Sequence, residues 1–175
     1  MRAGPGLAGA TKEMVMSYPA DVLIPANVEE LAEGTLLYAH EAWWLRCSLT
    51  GSLGVVSKVL ALTGPRAGQM TMFSNSEVLA LNSDYGWEIR VEHPLHFDLE
   101  SSPLAAVSVG QAGAVGIWGH IYGDESAVFC ISPQGKEVPS GLIPWDAKVR
   151  HRSFNVWVTD KKTKQAIGDL SLFSR

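Results

Sequence analysis

The chain has 175 residues, 46% of them hydrophobic, enough for one domain with a real core and too apolar for a disordered polypeptide. Charged side chains make up 18%, below the usual quarter, and no apolar run approaches the roughly 18 residues of a membrane-spanning helix. The net charge of -4 excludes a polycation, but the charge is uneven: residues 147–175 hold seven basic and two acidic side chains, net +5, and residues 1–146 hold seven and sixteen, net -9.

Residues 1–26 read as an extended N-terminal arm. Pro5, Pro19 and Pro25 exclude a regular helix there. Met14, Val15, Met16, Tyr18, Val22, Leu23 and Ile24 make the arm more apolar than a free tail, so it is expected to lie against its own domain or contact a neighbouring subunit. Asn27 followed by Glu30 has the spacing of a capping box, and Gly34 can end a helix in the left-handed conformation. Together they predict one short helix of about two turns.

From there the pattern is a cadence of short period-2 runs. Strands are predicted over 42–49, 55–62, 69–73, 87–99, 105–109, 115–122, 127–131, 148–159 and 167–173, and 74–84 reads equally as helix start or strand. Pro94 bends its strand or puts it at an edge, 133–144 is a loop with three prolines, and 160–165 is a lysine-rich turn. Many short strands without βα alternation predict an all-β fold, an antiparallel two-sheet β-sandwich forming a single domain over 27–175.

Motifs for chemistry are sparse. The run from Thr50 to Gly54 lacks the first glycine of a nucleophile elbow, and the glycines at 110, 113 and 116 lack the Gly-Lys-Ser/Thr ending of a phosphate loop. Neither a cofactor nor a catalytic residue is implied. His96 and Asp98 share a strand face and are the best metal-ligand pair, with His93 nearby and His120 or His151 as a distant third, although histidines in ordinary structural roles explain the pattern more simply. Trp118, His120 and Tyr122 alternate on one face beside Gly116 and Gly119, and with Trp44 they are candidates for a carbohydrate platform. Cys47 and Cys130 lie in apolar runs and read as buried, reduced thiols, which fits an intracellular setting. Arg150, Arg152, Lys161, Lys162 and Lys164 form a basic end able to meet RNA or an acidic partner, or a solvated face.

The layout resembles the small jelly-roll coat proteins of picorna-like viruses. The resemblance is carried by the arm MVMSYPADVLIPANV, by AWWLRCSLTG followed by GVVSKVLALTG, by GWEIRVEHPLHFDLE, and by the late aromatic strand GAVGIWGHIYGD. It spans residues 35–160 and is one of pattern, without a diagnostic motif. It implies an eight-stranded jelly roll, a shell subunit cut from a polyprotein, and other capsid subunits as partners in a virion assembled in the host cytoplasm. It also implies non-specific contact with genomic RNA, no membrane and no enzyme activity. Unlike many such proteins, the arm carries only Arg2 and Lys12, offset by Glu13 and Asp21. Two other readings stand beside it: a carbohydrate-binding β-sandwich module and a small metal-dependent enzyme using His96 and Asp98.

Overall fold

Alternating apolar residues need a second layer to cover them, and in this chain a curled sheet supplies much of its own cover. The computed structural model describes residues 19–51, 54–91, 105–143, 150–151 and 154–170. Thirteen strands fall in that set: β1 (Leu23–Asn27), β2 (Leu36–Ala39), β3 (Ala42–Gly51), β4 (Gly54–Ala61), β5 (Gln69–Thr71), β6 (Glu77–Leu81), β7 (Tyr85–Arg90), β8 (Val107–Val109), β9 (Val115–Ile121), β10 (Asp124–Ile131), β11 (Arg150–His151), β12 (Asn155–Asp160) and β13 (Ala166–Asp169). The fold is all-β. Ten strands form one sheet, ordered β1-β6-β2-β3-β4-β5-β9-β8-β11 with β10 on the other edge of β9, and β13-β12-β7 form a second.

Among the described strands pairing is antiparallel except between β5 and β9, where Gln69 lies opposite His120 and Met70 opposite Ile121 in parallel. The expectation of purely antiparallel sheets is corrected there. One edge of β9 is shared: its first half pairs with β8 and its second half with β5, while β10 lines its other edge.

The large sheet curls until it meets itself. After β10 a turn brings residues 136–138 back, with Glu137 bridging Ile131 and Lys136 bridging Ser48 of β3. Ser48 N–H donates to the Gly135 carbonyl at 2.8 Å, and Ser132 N–H donates to the Lys136 carbonyl at 2.8 Å. The ring therefore runs β3, β4, β5, β9, β10, residues 136–138 and back to β3, which removes two sheet edges. At this seam the backbones of Gly34 and Gly135 touch. Both have positive φ (+81° and +77°), and a Cβ on Gly135 would run into the Arg46 carbonyl and the Gly34 amide.

The main core is the shared inner face of this ring and of the second sheet. Leu45, Cys47 and Leu49 of β3 meet Leu60, Met70, Ile117 and Ile131, and Tyr85, Val156, Val158 and Leu170 close over them. Trp44, on the opposite face of β3, packs with Val28, Leu37, Val59, Ala61, Val78 and Ala80. A third cluster of Trp118, Cys130, Val138 and Ile143 forms where the chain after β10 folds over the outer face of β9 and β10.

Four sequence expectations change. The helix after Asn27 is a single 3-10 turn, Val28–Glu30. Asn27 does cap it, accepting from the Glu29 amide at 3.0 Å, but the chain turns extended at Leu31. A second 3-10 turn covers Gln111–Gly113. The end of the arm is a strand: β1 pairs with β6 along its whole length, and Val22 is buried in the main core. Residues 74–84 resolve as β6, and the predicted strand 148–159 divides between β11 of the large sheet and β12 of the small one. Among the described residues no helix is long and apolar enough to cross a membrane.

Pro25 fits β1 for a geometric reason. Val22 C=O accepts from Asn82, and Val28 N–H donates to Ser76, so even-numbered residues of β1 direct their backbone groups toward β6. Residue 25 faces outward, where a missing N–H costs no ladder bond.

Candidate functional site at the β2–β3 turn

Ala39 lies opposite Ala42, which leaves His40 and Glu41 as a two-residue hairpin loop. Both have positive φ, 51° and 59°, the primed-turn geometry that matches strand twist and that Asn-Gly adopts most cheaply. Neither residue is of that kind, so the turn is strained by about 1–2 kcal/mol at each position. Packing holds it in place. Trp44 Nε1 donates to the Ala39 carbonyl at 2.9 Å, the His40 ring meets Phe73 edge-on at 5.3 Å, and Phe73 meets Trp44 at 4.8 Å.

His40 stands between two clefts. One of about 320 Å3 is lined by His40, Ala42, Trp44, Pro65 and Arg66. The other, about 590 Å3, runs along Pro25, Tyr38, His40, Glu77 and Leu79. Polar tips on an apolar floor, held by a strained turn, make this end of the sheet suited to binding a chain segment. Sequence reasoning passed over it because a hairpin loop without Gly or Asn has no turn signature. Only the two-residue gap between the apolar runs LLYA and AWWL marked it. Replacing His40 by Asn and Glu41 by Gly together is expected to stabilise the fold by about 1–2 kcal/mol, read as a higher urea midpoint with an unchanged slope.

A further cleft of about 380 Å3 lies over β9 and β10, with Trp118, Val128, Phe129 and Cys130 against Glu137, Ser140 and Ile143. Trp118, proposed from sequence as a platform ring, is 5% exposed, and its Nε1 donates to Ser108 Oγ at 2.9 Å. Trp44 and His120 are also buried, so of the four rings only Tyr122, 67% exposed, presents itself to solvent. The burial of Trp118 and Trp44 removes the stacking face that a sugar platform needs.

The basic end divides. Arg150 lies on β11, paired with Ser108, while the lysines occupy the turn between β12 and β13. Lys161 Nζ donates to the Ser83 carbonyl at 2.8 Å, and Lys162 Nζ lies 3.5 Å from Asp84 Oδ2. The amides of Thr163 and Lys162 donate to Asp160 Oδ1 at 3.0 and 2.7 Å and hold that carboxyl below the ordinary carboxylate range. Lys164 takes φ +60° at the end of this turn. Lys162 therefore sits beside a carboxylate and Lys161 against a backbone carbonyl, which weakens the positive field these two project. Arg152, the arm residues Met14, Val15, Met16 and Tyr18, and His93, His96 and Asp98 lie outside the described residues. Leu23 is half-buried against the main core and Ile24 is exposed. Among the described residues no group of three or more His, Cys, Asp or Glu is placed to hold a metal ion.

Cys47 and Cys130 are both free and buried, and they belong to different clusters. Burial pushes each thiol from 9.0 up to about 12. Because the folded thiols titrate above the unfolded ones, their contribution to stability is full below pH 9 and is lost as pH rises toward 12. An aromatic disulfide reagent at pH 8 should therefore leave the native protein unlabelled and modify both thiols in denaturant. The Cys47→Ala variant should lose less stability than the parent between pH 9 and 12.

Comparison with protein-family models, with curated proteins and with solved structures finds no match. What the geometry defines is a class: an all-β protein of curled, mixed sheets with a hydrogen-bonded ring at its centre.

Proposed function

We propose that the protein is a non-enzymatic structural subunit that works by assembly, with a virus coat subunit of the picorna-like kind as its specific form. The observation that carries this reading is the β3–β4 hairpin. It runs beyond Val59 and Leu60, where β5 pairs, and beyond that point β4 turns exposed. Val55 is 68% exposed and Val56 40%, and the two point to opposite faces, so the hairpin is apolar on both sides. No charged residue occurs from Cys47 to Ser57. A projecting, uncharged, two-sided apolar hairpin is costly in an isolated subunit and useful when a neighbour covers it. Low overall charge supports the same reading.

In this reading the partners are other coat subunits in a virion assembled in the host cytoplasm, and the lysine turn makes any RNA contact through phosphates alone. A jelly roll is the finer form of the proposal. The ring closed at Ser48 and Gly135 and the parallel β5–β9 pair are departures from its eight antiparallel strands, and they narrow the likeness to an all-β shell domain with an N-terminal arm.

The test is mass against concentration by sedimentation, alone and with candidate partner subunits. Assemblies larger than the monomer are expected, and Val55→Asp should reduce them to monomer without changing the thermal midpoint. A monomer under all these conditions, or assemblies that Val55→Asp leaves intact, would sink the reading.

A further inference from the structure

An open sheet edge invites another strand, and folded chains usually blunt such edges with proline, charge or a bulge. Three of the described edges follow that habit. β1 turns Pro25 outward, β7 carries Glu88 and Arg90, and β10 begins with Asp124 and Glu125 beside a bulge. β4 differs. Its residues Gly54 to Ser57 are exposed and hold no charge, proline or bulge, and charge returns only at Lys58.

The direction of its backbone groups follows from two bonds. Leu62 N–H donates to the Trp43 carbonyl and Gly68 N–H donates to the Ala61 carbonyl, both at 2.8 Å. Even-numbered residues of β4 therefore turn their backbone groups toward β3, and odd-numbered residues turn theirs away. Val59 lies opposite Thr71, the last residue of β5. Val55 and Ser57 lie beyond that end, and among the described residues no strand pairs with them on the outer side.

We infer that this edge pairs with the same edge of a second copy, antiparallel about a two-fold axis at Val56. The contact presupposes assembly through the hairpin, as proposed, and gives it a geometry. The edge is self-complementary. Val55 stands opposite Ser57 of the second copy and Ser57 opposite its Val55, and each such pair exchanges two backbone bonds, so every outward group of both residues is used. The two Val56 side chains meet across the axis as a β-branched pair. No like charges oppose each other: Lys58 falls opposite Gly54, where nothing stands within 4 Å of a Cβ and its stem has room. A register shifted toward the body of the subunit would need Val59, which β5 already holds. Four backbone bonds and the valines at 55 and 56 make a small contact beside the roughly 1,200 Å2 of a stable complex, so this pairing alone is weak and concentration-dependent.

The test uses two single-cysteine additions to the full chain, with the parent as control for Cys47 and Cys130. Residues facing across the axis in a non-hydrogen-bonded pair have Cα atoms about 4.5 Å apart, within reach of a disulfide, whereas the two copies of residue 55 are diagonal neighbours about 7–8 Å apart. Under mild oxidation Val56→Cys should form a covalent dimer at a rate that rises with concentration, and Val55→Cys and the parent should not. In a second measurement, Ser57→Pro removes one outward donor and no ladder bond of the monomer. It should keep the thermal midpoint of the dilute protein and lose the assembly, while Ser57→Ala, which keeps the donor, still assembles. Assemblies that persist in Ser57→Pro, or that form without crosslinking at Val56→Cys, or that crosslink as fast at Val55→Cys, would overturn the edge pairing and leave assembly through another contact standing. A parent that stays monomeric at every concentration and with every partner would sink both.

Discussion

Replacing Gly135 by alanine is expected to lower the unfolding free energy by about 3–4 kcal/mol, a large part of a single domain's stability. About 1–2 kcal/mol comes from holding an alanine at φ +77°. The rest follows from contact. The new methyl meets the Arg46 carbonyl and the Gly34 amide, so the seam must open, which weakens the bonds from Ser48 N–H to Gly135 and from Gly34 N–H to Arg46, both 2.8 Å. Gly123 is the control. Its φ is +85° and nothing stands within 4 Å of a Cβ, so Gly123→Ala should show the conformational cost alone, about 1–2 kcal/mol. Urea denaturation of both variants separates the two terms, and equal losses would mean that the seam relaxes freely.

The second large effect is expected at Gly116, on the outer face of β9. Here φ is ordinary and the constraint is space alone: a Cβ would overlap Cys130 Sγ and come within 3.1 Å of Ile143 Cδ1. Gly116→Ala should cost about 2–3 kcal/mol by overpacking, and Cys130→Ala alone about 1–2 kcal/mol by leaving a small cavity. Removing the sulfur makes room for the methyl, so the double variant should be more stable than the sum of the single losses predicts, by at least about 1 kcal/mol. Strict additivity in a double-mutant cycle would show that the two residues do not share this contact in solution.

The strands that sequence reading recovered are those with enough length to show alternation. Trp43, Leu45, Cys47 and Leu49 mark β3, and Val156 and Val158 mark β12, because each has one face in the main core. Period two reports a face and says nothing of a partner. For that reason 148–159 read as one strand although its ends belong to two sheets, and the parallel pairing of the three-residue β5 with β9 left no local trace. β1 was hidden by Pro25, whose missing donor is harmless only because odd residues of β1 face outward, a fact fixed by β6 more than fifty residues away. Gly34 was read correctly as left-handed. Its reason is the close approach of the Gln134 backbone rather than the end of a helix. The candidate site was less legible than the fold. His40 and Glu41 are unremarkable residues made notable by backbone strain, and Trp118 and Trp44 looked like binding rings until packing accounted for both.

Closing the ring through Ser48 and residues 135–136 also sets an order of events for the growing chain. The contacts that complete it join parts of the sequence separated by half the molecule, so the entropy of closing that loop precedes any reward from the seam. At ordinary rates of synthesis the stretch between them takes on the order of ten seconds to emerge. During that time β3 and β4 can pair as a local hairpin, but Leu45, Cys47 and Leu49 have no second wall to meet. The nascent protein is therefore a sticky half-cylinder until Gly135 arrives, and early contact with a chaperone or with a sister subunit would shield the inner face that the finished ring later encloses.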